Sequence, residues 1–143
     1  MPKLTSKEKR QARIIALQAV YAHELSGSDL DDTCEFMMDR GNPPSNNIIN
    51  YGKQLSTLVF SHTVETDKLI KDRSKNWDFE RITVIDKLIL RMALVEMIYI
   101  DEVPHKVSIA EGVEIAKEFS TEDSSSFING ILDSIYNEMI LKK

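Results

Sequence analysis

The sequence predicts an all-α protein of about seven helices, packed as a compact, non-solenoid bundle. Three observations carry that expectation. Aliphatic residues recur in steps of three and four along most of the chain, the spacing of one helix face. No stretch shows the sustained apolar–polar alternation of a strand. Turn-forming residues gather between the periodic stretches, at Ser26-Gly27-Ser28 and at residues 40–47.

The elements follow in order. Thr5 or Ser6 caps a first helix reaching about Leu25, without a full capping box. Its inward face is Ala12, Ile15, Ala16, Ala19, Val20 and His23; Arg10, Arg13, Gln18 and Tyr21 lie around one flank. Ser28 caps a short second helix from Asp29 to Asp39, with acids in its first turn, where the helix dipole favours them. Cys34, on this helix, is a small buried side chain. Residues 40–47 form a loop. A third helical region runs from about Ile48 to Lys75, broken near His62-Thr63, with Ile48, Tyr51, Leu55, Leu58, Val59 and His62 on one face. Trp77 packs against neighbouring helices.

The stretch from Phe79 to Ser120 organises the rest. Between Ile82 and Tyr99 there is no Gly or Pro, and Ile82, Ile85, Leu88, Ile89, Met92 and Val95 mark a helix of about five turns. A helix this apolar around its girth packs on several sides. Two narrow polar zones remain: a stripe of Thr83, Asp86, Lys87 and Arg91, with Leu90 and Leu94 inside it, and Arg81 with Glu96 roughly opposite. Two readings stay open: a solvated edge with two stray leucines, or a partner surface of mixed apolar and charged groups built from Asp86, Lys87, Leu90, Arg91 and Leu94. After a turn at residues 101–104, Ser108 and Glu111 have capping-box spacing. The helix ending at Phe119 buries Ile109, Val113, Ile115, Ala116 and Phe119. Ser120 caps the last helix, whose inward face is Ile128, Ile131, Leu132, Ile135 and Met139.

Length and charge bound the function. The 143 residues suit one domain, with residues 1–5 as a flexible basic arm. One cysteine excludes a disulfide framework or a thiolate zinc site, and a cytoplasmic setting fits. No apolar run reaches membrane-spanning length. The three histidines show no metal-ligand spacing, and there is neither a phosphate-cradling glycine loop nor a nucleophile motif, so no enzyme, metal or cofactor is expected. The net charge of −5 is uneven. Residues 1–13 set five cations (Lys3, Lys7, Lys9, Arg10, Arg13) against Glu8, a net +4, which leaves −9 on the remainder. A basic arm on an acidic body binds polyanions locally while the body repels them. Cations, an amide and an aromatic ring along the first helix are what phosphates and unstacked bases need, and also what an ordinary exposed flank contains.

The chain resembles the transcription antitermination protein NusB family. Residues 10–13 (RQAR) and 16–21 (ALQAVY) carry the likeness, then residues 85–93 (IDKLILRMA) with Glu96, residues 103–107 (VPHKV) and residues 111–119. The most specific block is residues 127–133, FINGILD. The resemblance implies an all-helical fold of two small subdomains. It implies a non-catalytic factor that binds the boxA RNA of ribosomal RNA operons with NusE, a small-subunit ribosomal protein, within an RNA polymerase antitermination complex. Some relatives self-associate, so a homodimer is a further option. The RNA-facing positions it implies are Arg10, Arg13, Gln18 and Tyr21, joined by Asp123 and Phe127 at the start of the last helix; the charge of residues 1–13 adds Lys3 and Lys9 as RNA-binding candidates. Asp86 matches a position on the NusE side. The chain departs from the family pattern at residues 9–11, with one cation fewer in the arginine run, at Ser126, where a basic residue is usual, and at Ala110, where an asparagine is. Two alternatives stand beside this reading: a non-catalytic helical interaction or homodimerisation protein, and the RNA-binding domain of an RNA methyltransferase.

Overall fold

The computed structural model describes residues 3–36, 44–74 and 78–141. They form α1 (Ser6–Ser26), α2 (Leu30–Phe36), α3 (Asn46–Ser61), α4 (Thr63–Arg73), α5 (Val84–Tyr99), α6 (His105–Phe119) and α7 (Glu122–Ile135). A 3-10 turn at Phe79–Arg81 precedes α5, and a π-helical end, Tyr136–Leu141, follows α7. No strand occurs among the described residues. Trp77, residues 40–43 of the expected loop and the expected extension of α2 beyond Phe36 lie outside them. The chain divides into two compact units, Met1–Ser61 and His62–Lys143.

The first unit is built on a close approach of α1 and α3. Along α1, Ala12, Ala16 and Ala19 are fully buried. On α3, a Cβ added at Gly52 would lie 3.2 Å from Ile15 Cγ2 and 3.3 Å from the Ala12 carbonyl oxygen. Small side chains on both helices bring the backbones together, and Ile15, Leu17, Val20, Ile49, Leu55 and Val59 fill the remaining core. The termini of α1 are firmly closed. Thr5 Oγ1 accepts from the Glu8 amide at 3.1 Å while Glu8 Oε1 accepts from the Thr5 amide at 2.9 Å, a complete capping box. Gly27 ends the helix at φ 71°, a left-handed conformation that glycine adopts without a Cβ clash. Cys34 on α2 is buried, as expected, 3.9 Å from Ser56 Oγ.

In the second unit α5 is the hub, in contact with α4, α6 and α7. Leu88, Ile89, Leu90, Leu94 and Val95 are at most 2% exposed. Gly112 on α6 lets that helix close on α5 and α7, since a Cβ there would meet Ala93 at 3.4 Å and Leu132 at 3.5 Å. Two of the buried polar side chains of α5 have partners on neighbouring helices. Arg91 forks onto Asp67 of α4, Nε to Oδ1 at 2.7 Å and Nη2 to Oδ2 at 2.9 Å. Ser108 Oγ donates to Glu96 Oε1 at 2.7 Å, with both residues buried. On the rim, Tyr99 donates to Glu65 at 2.7 Å and stacks on His62. That hydrogen bond, then desolvation, then the Glu65 charge hold the Tyr99 phenol above its ordinary pKa.

Several local expectations are corrected. α3 starts at Asn46, so the loop yields its last two residues to the helix. α5 starts at Val84, capped by Thr83 rather than running from Ile82. Ser108 is no cap: α6 begins three residues earlier behind Pro104, and the Ser108 hydroxyl serves Glu96 instead. Thr121, not Ser120, caps α7, accepting from the Ser124 amide at 3.0 Å. Phe119, at the end of α6, is 38% exposed, and Val113 and Met139 are half-buried.

The α1–α3 seam gives a test of the first unit. Gly52→Leu forces a branched side chain against Ile15 and a backbone carbonyl, so it should cost about 1–3 kcal/mol of stability. A urea titration reads this as a lower midpoint; an unchanged midpoint would mean that the two helices separate freely.

Candidate nucleic-acid interface

The basic residues predicted for RNA divide by burial. Lys3 and Arg10 are exposed and Lys9 is half-buried. Arg13 is only 3% exposed. At 3.6 residues per turn it falls beside Leu17 and Val20, both buried, and not beside Gln18 and Tyr21. Arg13 is therefore a cation engaged within the fold, and its place on an open RNA-facing flank is corrected. Gln18 is exposed and Tyr21 is 39% exposed, and these two stand on one face of α1.

That face is longer than the sequence reading made it. Lys7, Gln11, Ile14, Gln18, Tyr21 and Leu25 succeed one another in steps of four and three, the repeat of one helix stripe. All are exposed except Ile14, which is half-buried. Arg10 borders the stripe near its N-terminal end. Lys7 and Gln11 lie on this exposed face although neither was singled out as a candidate contact: Lys7 was counted only in the charge of residues 1–13, and Gln11 is uncharged. The signal that finds them is the gap left by the buried positions Ala12, Ile15, Ala16, Ala19 and Val20.

At the start of α7, Thr121 and two first-turn acids, Glu122 and Asp123, cap the helix, a favourable end for negative charge. Asp123 is exposed and Phe127 half-buried. They are four residues apart and share one side of the helix. Phe127 is neither a fully buried core residue nor an open platform, and it has partners within the fold.

The α5 stripe is corrected most. Leu90 and Leu94 have no exposed surface, Arg91 is 8% exposed and spent on Asp67, and Asp86 is 5% exposed. These four cannot form an open partner surface. The reason is the enclosure of α5: Asp86, Leu90, Arg91 and Leu94 are covered by neighbouring parts of the second unit rather than by water. Asp86 stands at the third position of the helix, where its amide donates to Thr83 Oγ1 at 3.2 Å. Its Oδ1 is buried with no hydrogen-bond partner among the described residues. Lys87 is half-buried, its ammonium 4.3 Å from the centre of the Phe79 ring, with Lys71 at 4.8 Å on the same ring. The exposed groups at this end of α5 are Glu80, Arg81, Thr83 and Val84.

Among the described residues no group of three or more His, Cys, Asp or Glu is placed to hold a metal ion, and no helix is long and apolar enough to cross a membrane. A cavity of about 300 Å³ in the second unit is lined by Leu94, Met97, Ile98, His105, Ile135, Met139 and Glu65. Its one carboxylate already accepts from Tyr99.

Among the described residues, then, α1 carries a cationic, amide and aromatic face. Comparison with known proteins gives the family. The profile of the NusB family matches residues 10–137. The chain belongs to the NusB family. Curated relatives carry the name transcription antitermination protein NusB. The transcription antitermination protein NusB of Chloroherpeton thalassium is 37% identical over 131 residues, covering 92% of this chain and 62% of its own length. The chain thus spans less than two thirds of that relative. The NusB of Symbiobacterium thermophilum is 36% identical over 138 residues, covering 92% of this chain and 90% of its own. Among solved structures, T. maritima NusB superposes with a TM-score of 0.81 at 29% identity, covering 96% of this chain and 94% of that one. A crystal structure of antitermination factors NusB and NusE with double-stranded RNA contains the same fold, at a TM-score of 0.80 and 21% identity, covering 92% of this chain and 97% of that one.

Two substitutions test the corrected α5 geometry. Arg91→Ala strands the Asp67 carboxylate in a largely enclosed site, so it should cost about 3 kcal/mol of stability. Asp86→Lys sets a second cation at a buried position near the positive end of the helix dipole, and the melting temperature should fall rather than stay level. A variant of either kind that melts like the wild type would return the stripe to the surface.

Proposed function

We propose that the chain is a cytoplasmic RNA-binding transcription antitermination factor. It takes the boxA RNA of ribosomal RNA operons together with NusE, as part of an RNA polymerase antitermination complex. The observation that carries this reading is the exposed face of α1, which combines cations, amides and an aromatic ring without an acid between Lys9 and His23. Phosphates take the cations and unstacked bases take the ring and the amides. The crystal structure that pairs a NusB with NusE and RNA supports the choice of partners.

Lys3, Lys9 and Arg10 supply phosphate contacts, and Gln18 and Tyr21 meet bases. Asp123 and Phe127 contribute at the start of α7, the half-buried Phe127 as a stacking ring. Arg13 supports α1 from within. NusE meets the end of α5 near Lys87, with Asp86 acting from beneath the surface rather than as a rim charge. An orphaned buried oxygen at Asp86 fits an acceptor that gains its donor only on assembly.

The test is a thermodynamic box. The acidic body opposes RNA, so the isolated chain should bind boxA RNA weakly and NusE should tighten it; linkage then requires RNA to tighten NusE by the same factor. RNA affinity that is identical with and without saturating NusE refutes the joint reading. Arg10→Ala should flatten the slope of log affinity against log salt by about 0.7, one phosphate contact on single-stranded RNA. Arg13→Ala should instead lower the melting temperature, as loss of a buried cation does. Phe127→Ala should weaken RNA by about 1–3 kcal/mol without changing the salt slope if the ring stacks on a base.

A further inference from the structure

The stripe of α1 changes character along its length. Lys7 stands at one end, Gln11 and Gln18 in the middle on either side of Ile14, and Tyr21 and Leu25 at the other end. Gln11 and Gln18 are seven residues apart, about 10 Å along the axis at 1.5 Å per residue. Both side chains are exposed, and neither amide is engaged by another described residue. No acid between Lys9 and His23 stands to repel a phosphate chain laid along this face.

The residue types differ in what they can distinguish. A lysine ammonium is a point charge that holds any phosphate. An aromatic ring stacks on any base. A primary amide presents a donor and an acceptor side by side, so it pairs with some base edges and not with others. Those edges are open in single-stranded RNA, whereas the deep major groove of an A-form duplex closes them to side chains. The stripe thus carries two amides whose chemistry suits base discrimination, at two levels of one rigid helix.

We infer that Gln11 is a base-reading residue that acts with Gln18 to set which RNA sequences α1 accepts. This rests on the RNA-binding reading above and adds a role that the phosphate contacts cannot perform. Lys7 and Arg10 hold the backbone, Tyr21 stacks, and the amide pair discriminates.

The experiment uses the full chain with saturating NusE. The probes are a short single-stranded RNA carrying boxA and a set in which each base in turn is changed, titrated by fluorescence anisotropy over a salt series. Gln11→Ala should shrink the penalty for changing one particular base by about fivefold or more, and leave the salt slope as in the wild type. Lys7→Ala should do the reverse, lowering the slope by about 0.7 with the ranking of RNAs unchanged. Both positions are exposed on a helix and alanine is its best former, so both variants should fold, which a thermal melt checks. An unchanged ranking in Gln11→Ala, or a uniform weakening across every RNA, overturns the role of Gln11 while RNA binding itself stands. A wild type that shows no salt-dependent binding to any of the RNAs overturns the RNA-binding reading, and this role with it.

Discussion

The second unit depends on the enclosure of α5. With α4, α6 and α7 around it, this helix buries Asp86, Arg91 and Glu96, and the two longest of these side chains are matched within the unit. The bidentate Arg91–Asp67 pair and the Ser108–Glu96 hydrogen bond are the results. The Arg91 pair also fixes geometry, because a fork of two parallel bonds tolerates little sliding between helices. The Arg91 pair sets α4 against α5, and the Ser108 hydroxyl sets α6 against α5. Apolar burial supplies the driving force here, and the polar pairs select one register among those that greasy surfaces alone would permit.

The helices were legible in the sequence because their signal is periodic and local. The break at His62-Thr63 and the buried faces of α1, α3 and α7 could be read from spacing alone. Helix starts were harder, since Thr83, Ser108, Thr121 and their neighbours all offer capping hydroxyls and only the packed structure selects among them. The site was legible in part. Gln18 and Tyr21 are where the sequence put them, whereas Arg13 and the α5 stripe are buried. Both errors share one cause. A helical wheel treats a charged residue as solvent-facing, and a central helix with partners across from it breaks that rule. The same wheel already marked α5 as apolar around its girth, so the burial of its stripe follows from an observation that was in hand.

Charge and shape divide the labour within the chain. The acids of the first unit lie at Glu8 and from Glu24 to Asp39, leaving the middle of α1 clear of them. Glu8 is itself occupied by the capping box. A polyanion therefore meets a restricted landing strip on a molecule that elsewhere repels it, which favours one orientation over many. Weak general attraction is compatible with selectivity where uncharged side chains do the discriminating.

The small-residue seam between α1 and α3 has a consequence beyond packing. Gly52 lets the two backbones meet so closely at Ala12 and Ile15 that α1 has little freedom to rock or unwind within its unit. Its outward face is then preorganised: the side chains that meet a ligand already have their spacing before the ligand arrives. The ordering entropy of binding falls on the RNA and on a few side-chain rotamers, not on the helix. Changes on the hidden side of α1 would thus be felt on the open side as lost affinity, at residues that no ligand touches.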